Sequence, residues 1–171
     1  MGKLRHESLP CPARGLELVV YPEAAVVRPT AEPAFELELN SGSNMPELVA
    51  FDSAERPASL GTHWYVIDRA IVSERGIPLA GPPAPEVFAP VPRELVLPTL
   101  AESLRWHALD GGSGSRPDDA VLNACRALRY AAGAGWASKP EAGRWALRRF
   151  GPDELISRAL HERQRGEAAR R

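Results

Sequence analysis

The chain has 171 residues, of which 44% are hydrophobic and 25% are charged, and its formal net charge at pH 7 is −1. This length and apolar content suffice for one substantial core, or for two small lobes that share an interface. The near-neutral charge gives no reason to expect bulk attraction to nucleic acid or to an anionic membrane surface. No run of residues approaches the roughly 18 apolar positions that a membrane span requires.

The two cysteines and the N-terminal residues bear on the cellular compartment. Cys125 lies on the apolar face of a predicted helix, so a buried free thiol in a reducing cytoplasm is expected for it, and Cys11 has no evident partner. No cysteine–histidine cluster has the spacing of a zinc site. Lys3 and Arg5 are not followed by an apolar run, so no signal peptide is predicted. These features predict a cytoplasmic protein.

The first part of the chain predicts a small sheet. Residues 15–21 are rich in apolar and β-branched side chains, which indicates a strand. Residues 35–39 alternate apolar and acidic side chains, which predicts a second strand with Glu36 and Glu38 on a wet face. Glu17 is the carboxylate of the first strand. Its residue type alone places it at a sheet edge or on a solvent face.

A loop and a helix are predicted after these strands. Residues 40–59 lack strong periodicity and are interpreted as a loop or lid. Residues 63–75 show helical spacing of apolar side chains and end at Gly76, which predicts a helix with one buried side. His63 has no partner in the sequence that would support a ligand role, so a surface position is predicted for it.

The second part of the chain predicts a series of helices. Residues 92–109 predict the first, bent at Pro98, because proline removes a backbone hydrogen bond and crowds the previous turn. Trp106 and Asp110 lie at its exit. A tryptophan beside a carboxylate suits an amino sugar, since the ring packs on the sugar and the carboxylate meets the cation. The pattern alone favours the alternative of a core tryptophan and an aspartate in a turn.

Residues 121–150 predict two helices joined by a glycine hinge. Ser138 and Glu141 have the spacing of a capping box at the start of the second helix. Arg126 lies within the first helix and Lys139 opens the second, where free backbone N–H groups attract anions. The two cations therefore indicate either a polyanion site or a solvated surface, and residue types alone favour the surface. Residues 153–164 predict a last amphipathic helix, and the arginines that crowd the C-terminal end are interpreted as a solvated helical face.

The hinge region carries a family resemblance. Leu122, Arg126 and Tyr130 form the pattern L-x-x-x-R-x-x-x-Y, and a glycine hinge and S-K-x-x-A-x-x-W-A-L follow. This segment resembles the C-terminal helical domain of the aminoglycoside nucleotidyltransferases that adenylylate streptomycin and spectinomycin. The resemblance extends back through G-I-P-L-A-G-P-P-A-P-E-V-F-A-P-V-P-R to R-G-L-E-L, and so covers most of the chain.

The resemblance implies an α+β fold that is mostly α. A small, partial nucleotidyltransferase-type sheet lobe, residues 1–91, is expected to precede a C-terminal helical bundle, residues 92–171. ATP and Mg²⁺ are the implied cofactors, and an aminoglycoside-like small molecule is the implied partner. We expect no nucleic-acid partner, no membrane partner and a monomeric protein.

The resemblance also implies roles for individual residues. Arg126 and Lys139 occupy the places of the family residues that contact the ATP phosphates. Glu17 stands in the R-x-L-E setting of the third active-site carboxylate, which takes the proton from the sugar hydroxyl. Trp106 and Asp110 correspond to the tryptophan and the acidic residue that contact the drug.

One expected feature of this superfamily is missing from the sequence. A G-S turn followed by D-x-D on a strand, which binds Mg²⁺, does not precede Glu17. Gly112 and Ser113 with Asp118 and Asp119 do not replace it, because adjacent aspartates cannot share one strand face. The loop after residue 39 also lacks the tryptophan of streptomycin-modifying relatives.

Two interpretations follow. In one, the protein is an aminoglycoside adenylyltransferase, an antibiotic-resistance enzyme, whose first catalytic segment is absent from this chain, so that the chain alone is inactive. In the other, it is a non-enzymatic truncated relative that binds a small molecule or acts as a helical interaction protein. The presence of Glu17, Arg126 and Lys139 together favours descent from a working enzyme.

Overall fold

The computed structural model describes residues 15–32, 34–42, 47–110 and 117–168, and Cys11, Gly112 and Ser113 lie outside these residues. It confirms the α+β class with mostly helical content. The described elements, in chain order, are β1 (Gly15–Val20), α1 (Glu23–Val27), β2 (Leu37–Gly42), β3 (Leu48–Ala50), α2 (His63–Arg75), α3 (Ala84–Val87), α4 (Arg93–Arg105), α5 (Pro117–Ala131), α6 (Lys139–Phe150) and α7 (Glu154–Ala168). None of the described helices combines the length and the apolar character that a membrane span requires.

The described strands form one antiparallel sheet in the order β1–β2–β3. Leu18 of β1 stands opposite Leu39 of β2, and the alternation of side chains places one face of the sheet against α2. The prediction of a loop over residues 40–59 is wrong for β3 and for the end of β2. β3 spans three residues, which is too short for an alternating pattern to be recognised in sequence.

The prediction that Glu38 faces water is wrong, since only 6% of it is exposed. Its carboxylate accepts hydrogen bonds from the guanidinium of Arg56, one of them at 3.2 Å, and from the hydroxyl of Tyr65. A buried charge is tolerated when an opposite charge and hydrogen bonds surround it. Arg56 and Tyr65 supply both, and the pattern of a single strand cannot reveal these distant partners.

Helix α2 contributes to two cores. Tyr65 faces the sheet, where its ring stacks on Phe35 with 5.2 Å between the centroids. Ile67 and Ala70 belong instead to the core shared with the later helices. That second core also contains Val66, Val96, Leu100, Ala127, Tyr130 and Trp136. The helix was predicted with its observed bounds, but only one buried side was expected for it.

Four helices follow residue 92 in the described chain, as expected for a bundle. α4 contains Pro98 and ends at Arg105, and a π-helical turn over Trp106–Asp110 takes the place of the predicted last turn. The capping box at the start of α6 is confirmed: the Ser138 hydroxyl accepts from the Glu141 N–H, and the Glu141 carboxylate accepts from the Ser138 N–H.

Close packing holds α5, α6 and α7 together. Cys125 is a buried free thiol, as predicted, and it packs against Ala142 and Ala146 of α6. A Cβ atom at Gly143 would stand 2.9 Å from a Leu122 side-chain carbon and 3.0 Å from one of Leu160. Both distances are shorter than a carbon–carbon contact allows, so Gly143 lets three helices meet.

His63 lies in an aromatic cluster and not at the surface, so the surface prediction is wrong. It is 2% exposed, and its ring lies 4.3 Å from Trp64 and 5.6 Å from Trp106, measured between centroids. Neither ring nitrogen has a hydrogen-bond partner among the described residues, and the Glu102 carboxylate is 4.0 Å away. Burial lowers the pKa of His63 to about 4, and positive charge at His107 and Arg56 acts in the same direction.

We therefore predict acid sensitivity that depends on His63. An unfolded histidine binds a proton below about pH 6.5, whereas native His63 does so only below about pH 4. The native state thus loses stability as pH falls through this interval, by roughly 2–3 kcal/mol. Denaturant unfolding between about pH 7 and about pH 4.5 should show a smaller loss for His63→Phe than for the wild type. The exposed His161 is the control, and His161→Phe should keep the wild-type dependence; equal pH dependence in all three proteins would contradict the assignment.

Candidate functional site

The hinge between α5 and α6 has a defined geometry. Gly133 and Gly135 have φ angles of 78° and 71°, which glycine adopts without a Cβ clash. Arg129 holds the hinge by donating to the backbone carbonyls of Gly135 and Trp136, the latter at 3.0 Å. The buried Trp136 ring packs on Tyr130 with 4.4 Å between the centroids. The start of α6 is therefore fixed relative to the end of α5.

Arg126 of α5 is half-buried beside this hinge. Its guanidinium lies 5.9 Å from the centre of the Trp136 ring, and one terminal nitrogen is 3.4 Å from the Asn123 side-chain oxygen. The buried Nε has no hydrogen-bond partner among the described residues. Burial lowers the pKa of Arg126, while the carboxylate of Asp68 opposes that shift. The side chain thus retains unused hydrogen-bonding capacity at a partly desolvated position.

Lys139, the first residue of α6, forms an ion pair with α5. Its Nζ donates to Oδ1 of Asp119 at 3.1 Å, and a terminal nitrogen of Arg163 on α7 donates to the same oxygen at 2.6 Å. Burial lowers the pKa of Lys139, the Asp119 carboxylate opposes this, and the charges of Arg163 and Arg126 lower it further. The three cations therefore lie close enough to act on one another.

Sequence reasoning missed the role of Arg163. The basic side of the last helix was interpreted as a solvated face, but Arg163 is 25% exposed and holds Asp119. An arginine that reaches back to another helix has the same local pattern as an arginine in water. Only the packing of α7 on α5 distinguishes Arg163 from its neighbours.

Two carboxylates, those of Glu17 and Asp68, interact electrostatically, and Asp68 also interacts with Arg126. Glu17 is exposed on β1, opposite Asn40, and the sheet register places it on the same face as Glu38. Asp68 of α2 is exposed by surface area, yet loss of surrounding water raises its pKa to about 7, with Glu17 adding to the rise and Arg126 opposing it.

Asp68 was not singled out from the sequence. A lone acidic residue on a helix is typical of a solvent face, and its position between Glu17 and Arg126 follows only from the packing of α2 on the sheet and on the bundle. A carboxyl group that titrates near neutral pH can hold a proton or release it under physiological conditions.

The π-helical turn lies close to Lys139. Trp106 is half-buried; its Nε1 donates to the Ser59 carbonyl at 2.9 Å, and its ring lies 5.0 Å from His107. Burial lowers the pKa of His107, and the nearby charge of Lys139 lowers it further. Asp110 ends the turn, but its side chain lies outside the described part of the structure.

Electrostatic interactions connect Glu17, Arg126 and Lys139 in series through Asp68. Glu17 raises the pKa of Asp68, Asp68 raises the pKa of Arg126, and Arg126 lowers the pKa of Lys139. In the turn that contains Trp106, the charge of Lys139 lowers the pKa of His107. Within residues 15–32, 34–42, 47–110 and 117–168, no group of three or more His, Cys, Asp or Glu side chains could hold a metal ion.

The sequence model of the aminoglycoside adenylyltransferase C-terminal domain matches residues 86–171, and the chain belongs to this family. The match covers the four bundle helices, including Arg126, Lys139 and Arg163. It begins just before the predicted domain boundary at residue 92 and confirms the resemblance that the hinge motif indicated. A comparison with curated proteins finds no match.

The raised pKa of Asp68 predicts a pH-dependent effect of its removal. Between about pH 4 and about pH 7 the native carboxyl holds a proton that the unfolded chain has released, so this group's contribution to stability falls as pH rises. Asp68→Asn removes the contribution, and its stability relative to the wild type should rise across that range and level off above it. Urea unfolding at several pH values measures this. Glu74→Gln, at an exposed position on the same helix, should show no such trend, and a flat difference for Asp68→Asn would contradict the assignment.

Proposed function

We propose that this chain forms the phosphate-binding and acceptor-binding part of an enzyme that transfers AMP from ATP to a hydroxyl group of an aminoglycoside. The observation that carries the proposal is the convergence of Arg126 and Lys139 beside the fixed hinge, in a chain of the aminoglycoside adenylyltransferase family. In that family these two positions contact the ATP phosphates. Modification of the drug in the cytoplasm would confer antibiotic resistance.

The start of α6 supports binding of a polyanion. Lys139 is the first helical residue, and its backbone N–H favours negative charge; Pro140 has no N–H, and the Ala142 N–H donates to the Ser138 carbonyl. The Ser138 side chain satisfies the Glu141 N–H, which leaves the earlier backbone donor at Lys139 for a ligand. Arg126 adds a planar set of donors suited to phosphate oxygens, and its Nε has no described partner.

Glu17 and Asp68 support the acceptance of a proton from a hydroxyl group. We assign Glu17 the role of general base that the family resemblance gives it, and its exposure on β1 allows a sugar hydroxyl to approach. Asp68, whose pKa is raised to about 7 with Glu17 contributing to the rise, adds negative charge to Glu17 only where the pH exceeds that value. Negative charge at this place also suits the ammonium and guanidinium groups of an aminoglycoside.

The turn after α4 supplies the drug contacts of this proposal. Half-buried Trp106 offers an aromatic face, and its ring position is fixed by the hydrogen bond to Ser59. Asp110, four residues later, would meet an amino or guanidino group. The positions match those that the resemblance assigns to the drug.

The second candidate function is a binding protein without catalytic activity. Both candidates share the phosphate site, and they differ in whether the 171-residue chain completes a turnover. Binding and turnover therefore have to be measured separately.

Nucleotide binding should depend on the hinge cations. Titration calorimetry of ATP into the wild type should show weak binding, and Lys139→Ala should weaken it by about 1–2 kcal/mol, one partly exposed charge-assisted contact. Arg126→Ala should have an effect of similar size. Arg144→Ala removes an exposed cation from the same helix as Lys139 and should leave the affinity near that of the wild type. Equal affinities for all four proteins would show that Arg126 and Lys139 are surface cations without a phosphate role.

Turnover should be absent from this chain by itself. With ATP, Mg²⁺ and streptomycin or spectinomycin, we expect no adenylylated drug above background, because the D-x-D motif that binds the metal in this superfamily is not in the sequence. Mass spectrometry of the drug measures the product. Product formation that Glu17→Gln abolishes would contradict this expectation and would establish the chain as a complete enzyme.

A further inference from the structure

Helix α7 reaches the proposed phosphate site through Arg163. Its guanidinium and the ammonium of Lys139 donate to one oxygen of Asp119, at 2.6 and 3.1 Å. One carboxylate oxygen thus lies between a guanidinium and an ammonium group, an arrangement that a phosphate oxygen can adopt equally well. Arg126 is close enough for its charge to act on both of the other cations.

The three contacting side chains are partly accessible. Lys139, Asp119 and Arg163 are 23%, 28% and 25% exposed. A pair sealed in the core would exclude a ligand, and a fully solvated pair would contribute little. Intermediate burial lets an anion reach the cations while the surrounding protein still strengthens the attraction.

Asp119 has a separate function in the ligand-free protein. Burial disfavours the charged form of Lys139, and the Asp119 carboxylate counteracts this. The carboxylate therefore keeps the cation charged and holds the first turn of α6 near α5 until a stronger anion arrives. The same negative charge repels that anion, so the two compete for the same donors.

We propose that Arg163 is a third phosphate-binding residue and that Asp119 is an internal counterion which a polyphosphate displaces from Lys139 and Arg163. The proposal rests on the phosphate site proposed above for Arg126 and Lys139. It adds that ligand binding links α7 to the α5–α6 hinge, because Arg163 exchanges a carboxylate of α5 for the bound anion.

The test uses the full chain with two probes, ATP and inorganic tripolyphosphate, which lacks the nucleoside. Calorimetry should show that Arg163→Gln weakens both by about fivefold or more, the effect of one lost charge-assisted contact. Arg165→Gln is the matched control: Arg165 lies two residues away on α7, is 69% exposed and pairs with Glu162. Its affinity should stay within about twofold of the wild type.

Asp119→Asn should change the affinity for polyphosphate in the opposite direction to Arg163→Gln. Removal of the competing charge should tighten tripolyphosphate binding severalfold, although the ligand-free variant should be less stable. Hydrogen exchange supplies an independent readout, since α7 amides should gain protection on ligand binding in the wild type and not in Arg163→Gln. A purely structural Arg163 would change the exchange of the free protein and leave the ligand-induced change intact.

The outcomes separate the two proposals. If Lys139→Ala and Arg126→Ala lose affinity while Arg163→Gln binds like the wild type, the phosphate site stands and the role of Arg163 is refuted. Weaker tripolyphosphate binding by Asp119→Asn refutes the displaced counterion. If the wild type binds neither probe, or if all variants bind alike, the phosphate site fails and this inference fails with it.

Discussion

Burial of α2 on two sides is the constraint on which the rest of the structure depends. Tyr65 packs into the sheet core, and Ile67 and Ala70 pack into the helical core, so one helix joins the two halves of the described chain. The boundary between these two buried sides is where polar residues come to lie in partly desolvated positions. Asp68 follows Tyr65 by three residues on α2, and loss of surrounding water raises its pKa to about 7.

The polar interactions of α2 maintain this placement. Arg69 is 2% exposed and donates to three backbone carbonyls, at Tyr65, Ala25 and Thr30, at 2.6 to 2.9 Å. It therefore ties the helix to the chain segment that begins with α1. Glu38 reaches the same helix through Tyr65. Since a buried charge without such partners is strongly unfavourable, these contacts tolerate little displacement of α2 relative to the sheet.

The sequence was sufficient for the elements whose signals are local. The bounds of α2, the capping box of Ser138 and Glu141, and the buried state of Cys125 each follow from residues within one helix, and the structure confirms them. The predictions that Glu38 and His63 are exposed were wrong, because residues distant in sequence set the environments of both. Arg56 and Trp106, their respective neighbours, have no fixed spacing from them in sequence.

The residues of the candidate site also divide into those with a local sequence signal and those without one. Arg126, Lys139 and Glu17 were proposed from motif positions. In the structure Arg126 lies close enough to Lys139 for their charges to interact, and the roles of all three residues stay predictions. Asp68 and Arg163 could not be proposed, since a lone carboxylate on a helix and an arginine in a basic helix are common surface features. Their significance comes from which charges face them after folding.

Gly143 affects how precisely α6 positions Lys139. The residue lies four positions, roughly 6 Å, beyond Lys139, and the absence of its side chain leaves room for Leu122 and Leu160 against α6. A side chain at this position would displace the ends of these leucine side chains or α6 itself, and any movement of α6 would be transmitted to Lys139 because a helix is stiff over one turn. Hydrogen bonds weaken steeply over a few tenths of an ångström beyond their normal length. Gly143, although uncharged, thus affects how accurately α6 presents Lys139 to the carboxylate on α5.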